Sequence, residues 1–237
     1  MYFKGKIALE RKPSLPKERP VRKGVGIKSG NLEFVFEQGV GKLFFAGKEL
    51  TTGLGMYTSI RSLGTWYDSY QSTWNLISTL SNKIITCGNW PYIPISQYWE
   101  VELLDDKSIR WTVDMEVYDE IYFEIEQTNL MLIPEYRQWI IAGLQKGDFP
   151  GDYTKDYDIL PFRSWYGKFR KEGMQAIGSG LPPVLFTSSI EEGSLRMIVE
   201  NTDYIYKGRL LQYQKCNTNK LPLKRYRYFT GVIRVES

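Results

Sequence analysis

The chain has no histidine in its 237 residues. That absence removes Ser-His-Asp triads, imidazole-ligated metals and imidazole acid/base chemistry together. Any reaction would have to run on carboxylates, Tyr, Lys or Cys. Cysteine is scarce too: Cys87 and Cys216 are the only two, too few for a disulfide framework, and are expected to be unpaired, buried small residues. No apolar run approaches the ~20 residues of a membrane span, and Met1 to Arg11 lacks the apolar stretch of a secretory signal. No membrane partner is expected, and the localisation reads as cytoplasmic, or extracytoplasmic if the chain is cut from a secreted parent. Net charge is a modest +4, with basic residues gathered at Lys4 to Lys28, Arg163 to Lys171 and Lys220 to Arg227. Because the best-defined strand surface is acidic, nucleic acid is not an expected partner. Gly39-Val40-Gly41 and Gly178-Ser179-Gly180 lack the following helix and Lys-Ser/Thr pair of a phosphate loop. No cofactor and no metal site is expected.

What the chain has in quantity is aromatic side chain, 15% of the residues with 17 Tyr and 7 Trp, and a period of two. Trp99, Val101 and Leu103 share one parity, followed by Ile109, Trp111, Val113, Met115 and Val117, then Ile121, Phe123 and Ile125. Successive strand side chains point to opposite faces, so the pattern predicts half-buried strands with one apolar and one wet side. The wet parity carries Glu100, Glu102, Arg110, Asp114, Glu116, Glu124 and Glu126. A three-residue break at Tyr118-Asp119-Glu120 predicts a hairpin that pairs Val113 with Ile125 and sets Asp114 beside Glu124. Like charges so placed repel unless a cation, water or ligand intervenes.

Elsewhere Leu32 to Phe36 and Lys42 to Phe45 read as a hairpin, and Met56 to Leu76 as two strands joined by a loop. Trp90-Pro91-Tyr92-Ile93-Pro94 must be irregular. Residues 143–183, rich in Gly, Pro, Asp and Tyr, are the least regular part. No helix longer than about two turns is evident. The count of strands, a dozen or more, predicts an all-β protein: a large two-sheet antiparallel β-sandwich. Residues 1–24, with Pro13, Pro16 and Pro20 among Lys and Arg, read as an extended arm, and 25–237 as a single sandwich domain.

Trp66-Tyr67-Asp68-Ser69-Tyr70, with Trp74, Trp90 and Tyr92 further on, offers what sugar sites use: flat apolar faces for the C–H side of a pyranose and polar groups for its hydroxyls. The competing reading, that these aromatics fill the gap between two sheets, carries the greater weight. The carboxylates of the wet parity admit a paired acid/base set or oxygen ligands for calcium, against a solvated face in which Glu102 pairs with Arg110. Arg61, Arg137, Arg163 and Arg170 lie near aromatics in sequence and offer forks for hydroxyls or anions. The candidate ligand-binding set is Trp66, Tyr67, Asp68, Tyr70, Trp90 and Arg163, with no catalytic residue assigned.

The order of these features resembles the galactose mutarotase-like supersandwich, known from aldose epimerases and from accessory domains of glycoside-active enzymes. The resemblance rests on Gly30-Asn31-Leu32-Glu33-Phe34 leading to Gly47-Lys48-Glu49-Leu50, on Trp99 to Leu103 turning into Ile109 to Met115, and on Tyr228 to Ile233, and covers roughly residues 25–235. It implies the scaffold and a sugar context. Family epimerases use a His acid beside a Glu base, and this chain has no His to supply, so the resemblance implies a diverged or non-catalytic member. The expected function is a carbohydrate-binding or accessory domain of a polysaccharide-handling protein, with a neighbouring domain as a further partner. Two alternatives stay open: a carboxylate-dependent hydrolase, lyase or epimerase using Asp68, Glu124 or Glu126, and a structural domain that docks another protein.

Overall fold

The computed structural model describes residues 24–143, 145–153, 163–189, 195–216, 221 and 223–236. Its strands are β1 (Val25–Ser29), β2 (Leu32–Glu37), β3 (Val40–Phe45), β4 (Lys48–Glu49), β5 (Thr51–Ser62), β6 (Thr65–Asp68), β7 (Thr73–Thr79), β8 (Lys83–Asn89), β9 (Ile95–Leu103) and β10 (Ser108–Val117). They continue as β11 (Ile125–Leu132), β12 (Tyr136–Ile141), β13 (Gln145–Asp148), β14 (Arg163–Lys168), β15 (Met174–Gly178), β16 (Leu181–Ser188), β17 (Leu195–Asn201), β18 (Arg209–Cys216) and β19 (Arg225–Val235). Helical structure among the described residues is one 3-10 turn, Ser69–Gln71, and no helix is long and apolar enough to cross a membrane.

The strands form two antiparallel sheets. A ten-stranded sheet runs β1-β2-β3-β5-β11-β18-β17-β14, with β4 and β6 attached to β3 and β5, and a nine-stranded sheet runs β13-β12-β15-β16-β19-β10-β9-β8-β7. Period-two patterning builds the core between them, because the apolar parity of each strand faces the opposite sheet. Trp99 and Trp111 are fully buried there. They stand edge-to-face with ring centroids 4.8 Å apart, and Trp74, Phe36, Phe229, Phe186 and Tyr213 extend the series. Each such contact adds about 0.5–1.5 kcal/mol beyond area burial.

The predicted hairpins β2–β3 and β9–β10 form, the second with Arg110 opposite Glu102 and their charged groups 3.1 Å apart. The predicted third strand of the meander does not pair with β10. Instead β10 lies between β9 and β19, while β11 crosses to the other sheet between β5 and β18. Ile121 and Phe123 are buried in the crossover, which is why their parity fitted a hairpin equally well. The crossover also reverses β11's faces: Glu126 points inward and is buried, with Tyr226 donating to it at 2.7 Å. Asp114 therefore meets Arg225 and Arg227 rather than Glu124, and Glu124 pairs with Arg61. Between Met56 and Leu76, β5 and β6 belong to one sheet and β7 to the other, the 3-10 turn carrying the chain across. Both cysteines are free, but Cys87 is half-buried and Cys216 exposed rather than buried, because Cys216 ends β18 at the margin of its sheet.

Candidate functional site

The two outer faces differ in kind. On the nine-stranded sheet the outward carboxylates are neutralised in place: Glu100 and Glu102 by Lys83 and Arg110, and Asp114 by Arg225 and Arg227. Glu116 accepts hydrogen bonds from Tyr98 and Tyr118. This is a solvated surface of cross-strand pairs, each worth little. No group of three or more Asp, Glu or Cys is placed to hold a metal among the described residues.

The outer face of the ten-stranded sheet carries buried amides. Residues of one parity on β5, β11, β18 and β17 (Met56, Ile60, Leu130, Leu211, Tyr213, Met197, Val199) join the main core, while Tyr57, Met131 and Leu210 of the other parity form a separate small cluster with Leu54 and Tyr206. That second parity therefore faces outward, and the strand registers arrange it in rows. One row runs Asp68, Ser59, Gln127, Gln214, Arg196, Lys168; the next Tyr57, Asn129, Gln212, Ile198, Tyr166; the third Met131, Leu210, Glu200, Arg163.

The centre is polar yet enclosed. Asn129 and Gln212, directly opposite each other on paired strands, are 0% and 1% exposed, and the side-chain oxygen of each lacks a hydrogen-bond partner. Ser59 donates its hydroxyl to Asp68 Oδ1 at 2.5 Å, and Asn129 Nδ2 donates to Ser59 Oγ at 3.3 Å. Burial raises the Asp68 pKa against the Ser59 hydrogen bond, which lowers it. Burial also pushes Glu200 up to about 7, outweighing the Arg163 guanidinium 3.2 Å away. The hydroxyl of Tyr57, between the two acids, is raised by burial first and then by the charges of Asp68 and Glu200.

Each end of this floor is marked by an exposed aromatic, an arginine and a glutamate. Trp66 is 41% exposed with the Arg61 guanidinium 6.0 Å from its ring, and Arg61 is held by Glu124 at 3.1 Å. Tyr166 is 48% exposed with the Arg163 guanidinium 5.4 Å away, and Arg163 is held by Glu200.

Of the residues singled out from sequence, Trp66 and Asp68 share this face on β6, and Arg163 lies on it at the opposite edge. Five strand spacings of about 4.8 Å separate β6 from β14, on the order of 24 Å, so these residues cannot meet around one monosaccharide. Tyr67 packs against the main core. Tyr70 lies half-buried in the 3-10 turn. Trp90 is buried between the sheets, its ring 6.2 Å from Trp74; there the filling role of the aromatics holds. Sequence reading missed Ser59, Asn129, Gln212, Glu200 and Tyr166. A signal existed for one of them: Gln212 and Gln214 alternate with Leu211 and Tyr213, an amide-bearing face opposite an apolar one.

No family model matches the chain, and no curated protein does. Solved structures do. A protein from Escherichia coli K12 assigned as an aldose 1-epimerase superposes with a TM-score of 0.62 at 8% identity, over 90% of this chain and 98% of that one. The heparan sulfate lyase HepC of Pedobacter heparinus gives 0.50 at 13% identity, and the GH36 alpha-galactosidase AgaB of Geobacillus stearothermophilus 0.50 at 8%. Those two are matched over 87% and 91% of this chain, which spans 33% and 40% of their lengths. The chain shares the fold of that aldose 1-epimerase structure, as the galactose mutarotase-like resemblance implies.

Proposed function

We propose that the outer face of the ten-stranded sheet binds carbohydrate, as an oligo- or polysaccharide laid across the strands from Trp66 and Asp68 toward Tyr166 and Arg163. The domain serves as a binding or accessory part of a polysaccharide-handling protein. One observation carries this reading: each end of the face bears an exposed aromatic beside an arginine, Trp66 with Arg61 and Tyr166 with Arg163. The C–H face of a sugar covers such a ring while its hydroxyls bond the neighbouring polar groups. The occurrence of this fold in a protein assigned as an aldose 1-epimerase, in a heparan sulfate lyase and in an alpha-galactosidase supports a sugar as the ligand. Trp66, Asp68 and Arg163 are proposed as contacts, joined by Tyr166. Tyr67, Tyr70 and Trp90 support them from behind. Calorimetric titration against a panel of neutral oligosaccharides tests this: binding that weakens about tenfold in Trp66→Ala and in Tyr166→Ala supports it, and no binding by any member at millimolar concentration overturns it.

A second reading, a carboxylate-run sugar enzyme, draws on Glu200, whose pKa near 7 suits a general acid. Asp68 is a poor second carboxylate for it. Four strand spacings separate β6 from β17, on the order of 19 Å, against the roughly 5–9.5 Å of paired glycosidase carboxyls. Turnover of chromogenic glycosides that vanishes in Glu200→Gln would establish this reading, and an inert panel would remove it.

A further inference from the structure

A cleft of about 210 Å³ opens between one margin of each sheet. Ile141, Ala142 and Gln145 line it from the β12–β13 hairpin, and Trp165, Lys168 and Arg170 from edge strand β14 and the residues after it. One water needs about 10–15 Å³ of such space, so the cleft has room for a ring. Ile141 and Trp165 pack with the main core, which places the cleft between the sheets and not on the outer face. Lys168 stands on the outward parity beside Arg196, and reaches the cleft because no strand lies beyond β14.

Main-chain bonds fix its frame. The Ala142 amide donates to the Gly173 carbonyl at 2.9 Å, the Gly173 amide to the Arg170 carbonyl at 3.2 Å, and the Arg170 amide to Met197 Sδ at 3.0 Å. The two walls are thereby tied together before any ligand arrives. Trp165 is half-buried, and its indole lies across Gly167, where a Cβ would come within 2.4 Å of the ring. The charges set the ligand. Lys168 and Arg170 are exposed, neither makes an ion pair or a side-chain hydrogen bond among the described residues, and none of the described residues lining the cleft is acidic. By contrast Arg61, Arg110, Arg163, Arg225 and Arg227 each meet a carboxylate. An indole wall beside two uncommitted cations complements a ring that has an apolar face and carries a negative charge.

We propose that this cleft binds an acidic sugar residue, its ring against Trp165 and its carboxylate or sulfate held by Lys168 and Arg170. The choice of a sugar rests on the carbohydrate reading above, while the site is separate from the outer face.

The test is calorimetry at low salt. It compares a galacturonate tetramer with its methyl ester, and a sulfated galactose tetramer with its desulfated counterpart, with the neutral panel alongside. Each pair shares a backbone and differs in charge. In at least one pair the charged member is expected to bind tenfold or more tightly, and the pair that does so identifies the anion. Arg170→Gln and Lys168→Gln should each cut that preference at least threefold. Lys48→Gln, which removes the same charge from β4, should leave it within about twofold. All three side chains are exposed, so the variants are expected to fold. No preference in either pair, a preference unchanged by both cleft variants, or one that Lys48→Gln reduces equally overturns the cleft assignment, and a neutral panel that still binds leaves the outer face standing. Charged tetramers bound through Arg170 and Lys168 beside an inert neutral panel keep the cleft and remove the face. Binding of no saccharide of either kind overturns both.

Discussion

The Tyr228 hydroxyl donates across the sandwich to the main-chain carbonyl of Gln127, 2.9 Å away, with the Ser59 carbonyl at 3.2 Å. The register of β10 with β19 shifts between Val113 and Asp114, so Tyr228 is an extra, bulged residue whose side chain turns inward instead of out. The nine-stranded sheet thus pins the β5–β11 ladder directly beneath Ser59 and Gln127. Tyr228→Phe keeps the ring and deletes this link. The expected loss is about 1 kcal/mol, a fall in melting temperature of about 2–4 °C, measurable by thermal denaturation. An unchanged melting temperature would show that the link contributes nothing.

Glu200 makes stability depend on pH. Its ordinary value of 4.5 is pushed up to about 7 by burial, so between those values the folded protein holds a proton that the unfolded chain has released. Stability from this group is intact below the lower value and is lost as pH rises through the upper one. Urea denaturation of the parent should therefore show declining stability across that window, and the decline should be shallower in Glu200→Gln. Parallel profiles would contradict the assignment.

Trp66 is the emitter that solvent reaches most. Trp74, Trp90, Trp99, Trp111 and Trp139 are buried and Trp165 is half-buried, whereas Trp66 is among the exposed large hydrophobic residues. Trp66→Phe is expected to remove more than about half of the acrylamide-quenchable fluorescence, and a bound oligosaccharide should protect what the parent shows. Quenching unaffected by the substitution would mean that Trp66 is covered in solution.

Asp114 provides the control face. Its partners Arg225 and Arg227 are about half exposed, so the pairs are screened by water and salt. Asp114→Asn should change stability by no more than about 1 kcal/mol, with a smaller change in 1 M salt, and leave sugar affinity untouched. A clear loss of sugar binding would relocate the site.

Trp111 anchors the core, touching Trp99 on one side and Phe229 on the other. Trp111→Ala is expected to cost about 3–5 kcal/mol, a large share of the roughly 5–15 kcal/mol that holds a domain folded. Chemical denaturation would show it, and a loss under about 1 kcal/mol would mean that the cavity collapses.

Much of the architecture can be read from the chain because alternation reports burial directly. Trp99 to Leu103 and Ile109 to Val117 have their apolar parity inside, and Leu32, Phe34 and Phe36 do as well. Alternation does not say which sheet a strand joins. Ile121 and Phe123 are buried whether they run beside β10 or cross to the other sheet, so the pairing partner of β11 was hidden, and with it the inward turn of Glu126. The site was only partly legible for a related reason. Trp66 and Asp68 stand out as an aromatic beside an acid, but Asn129, Gln212 and Ser59 are ordinary polar residues whose meaning comes from long-range register. Trp90 looked equal to Trp66 in sequence, and only packing separates the buried ring from the exposed one.

The 3-10 turn that follows Asp68 is tied down from three sides. Ser69 donates to the Gly39 carbonyl at 2.6 Å, the Trp74 indole donates to the Ser69 carbonyl at 2.7 Å, and a Cβ on Gly39, whose φ is +77°, would collide with that same carbonyl. A ligand that touches Asp68, as proposed above, is therefore expected to shift the resonance of the Trp74 indole proton six residues along the chain, a readout that needs no dye, no mutation and no knowledge of which glycan was added.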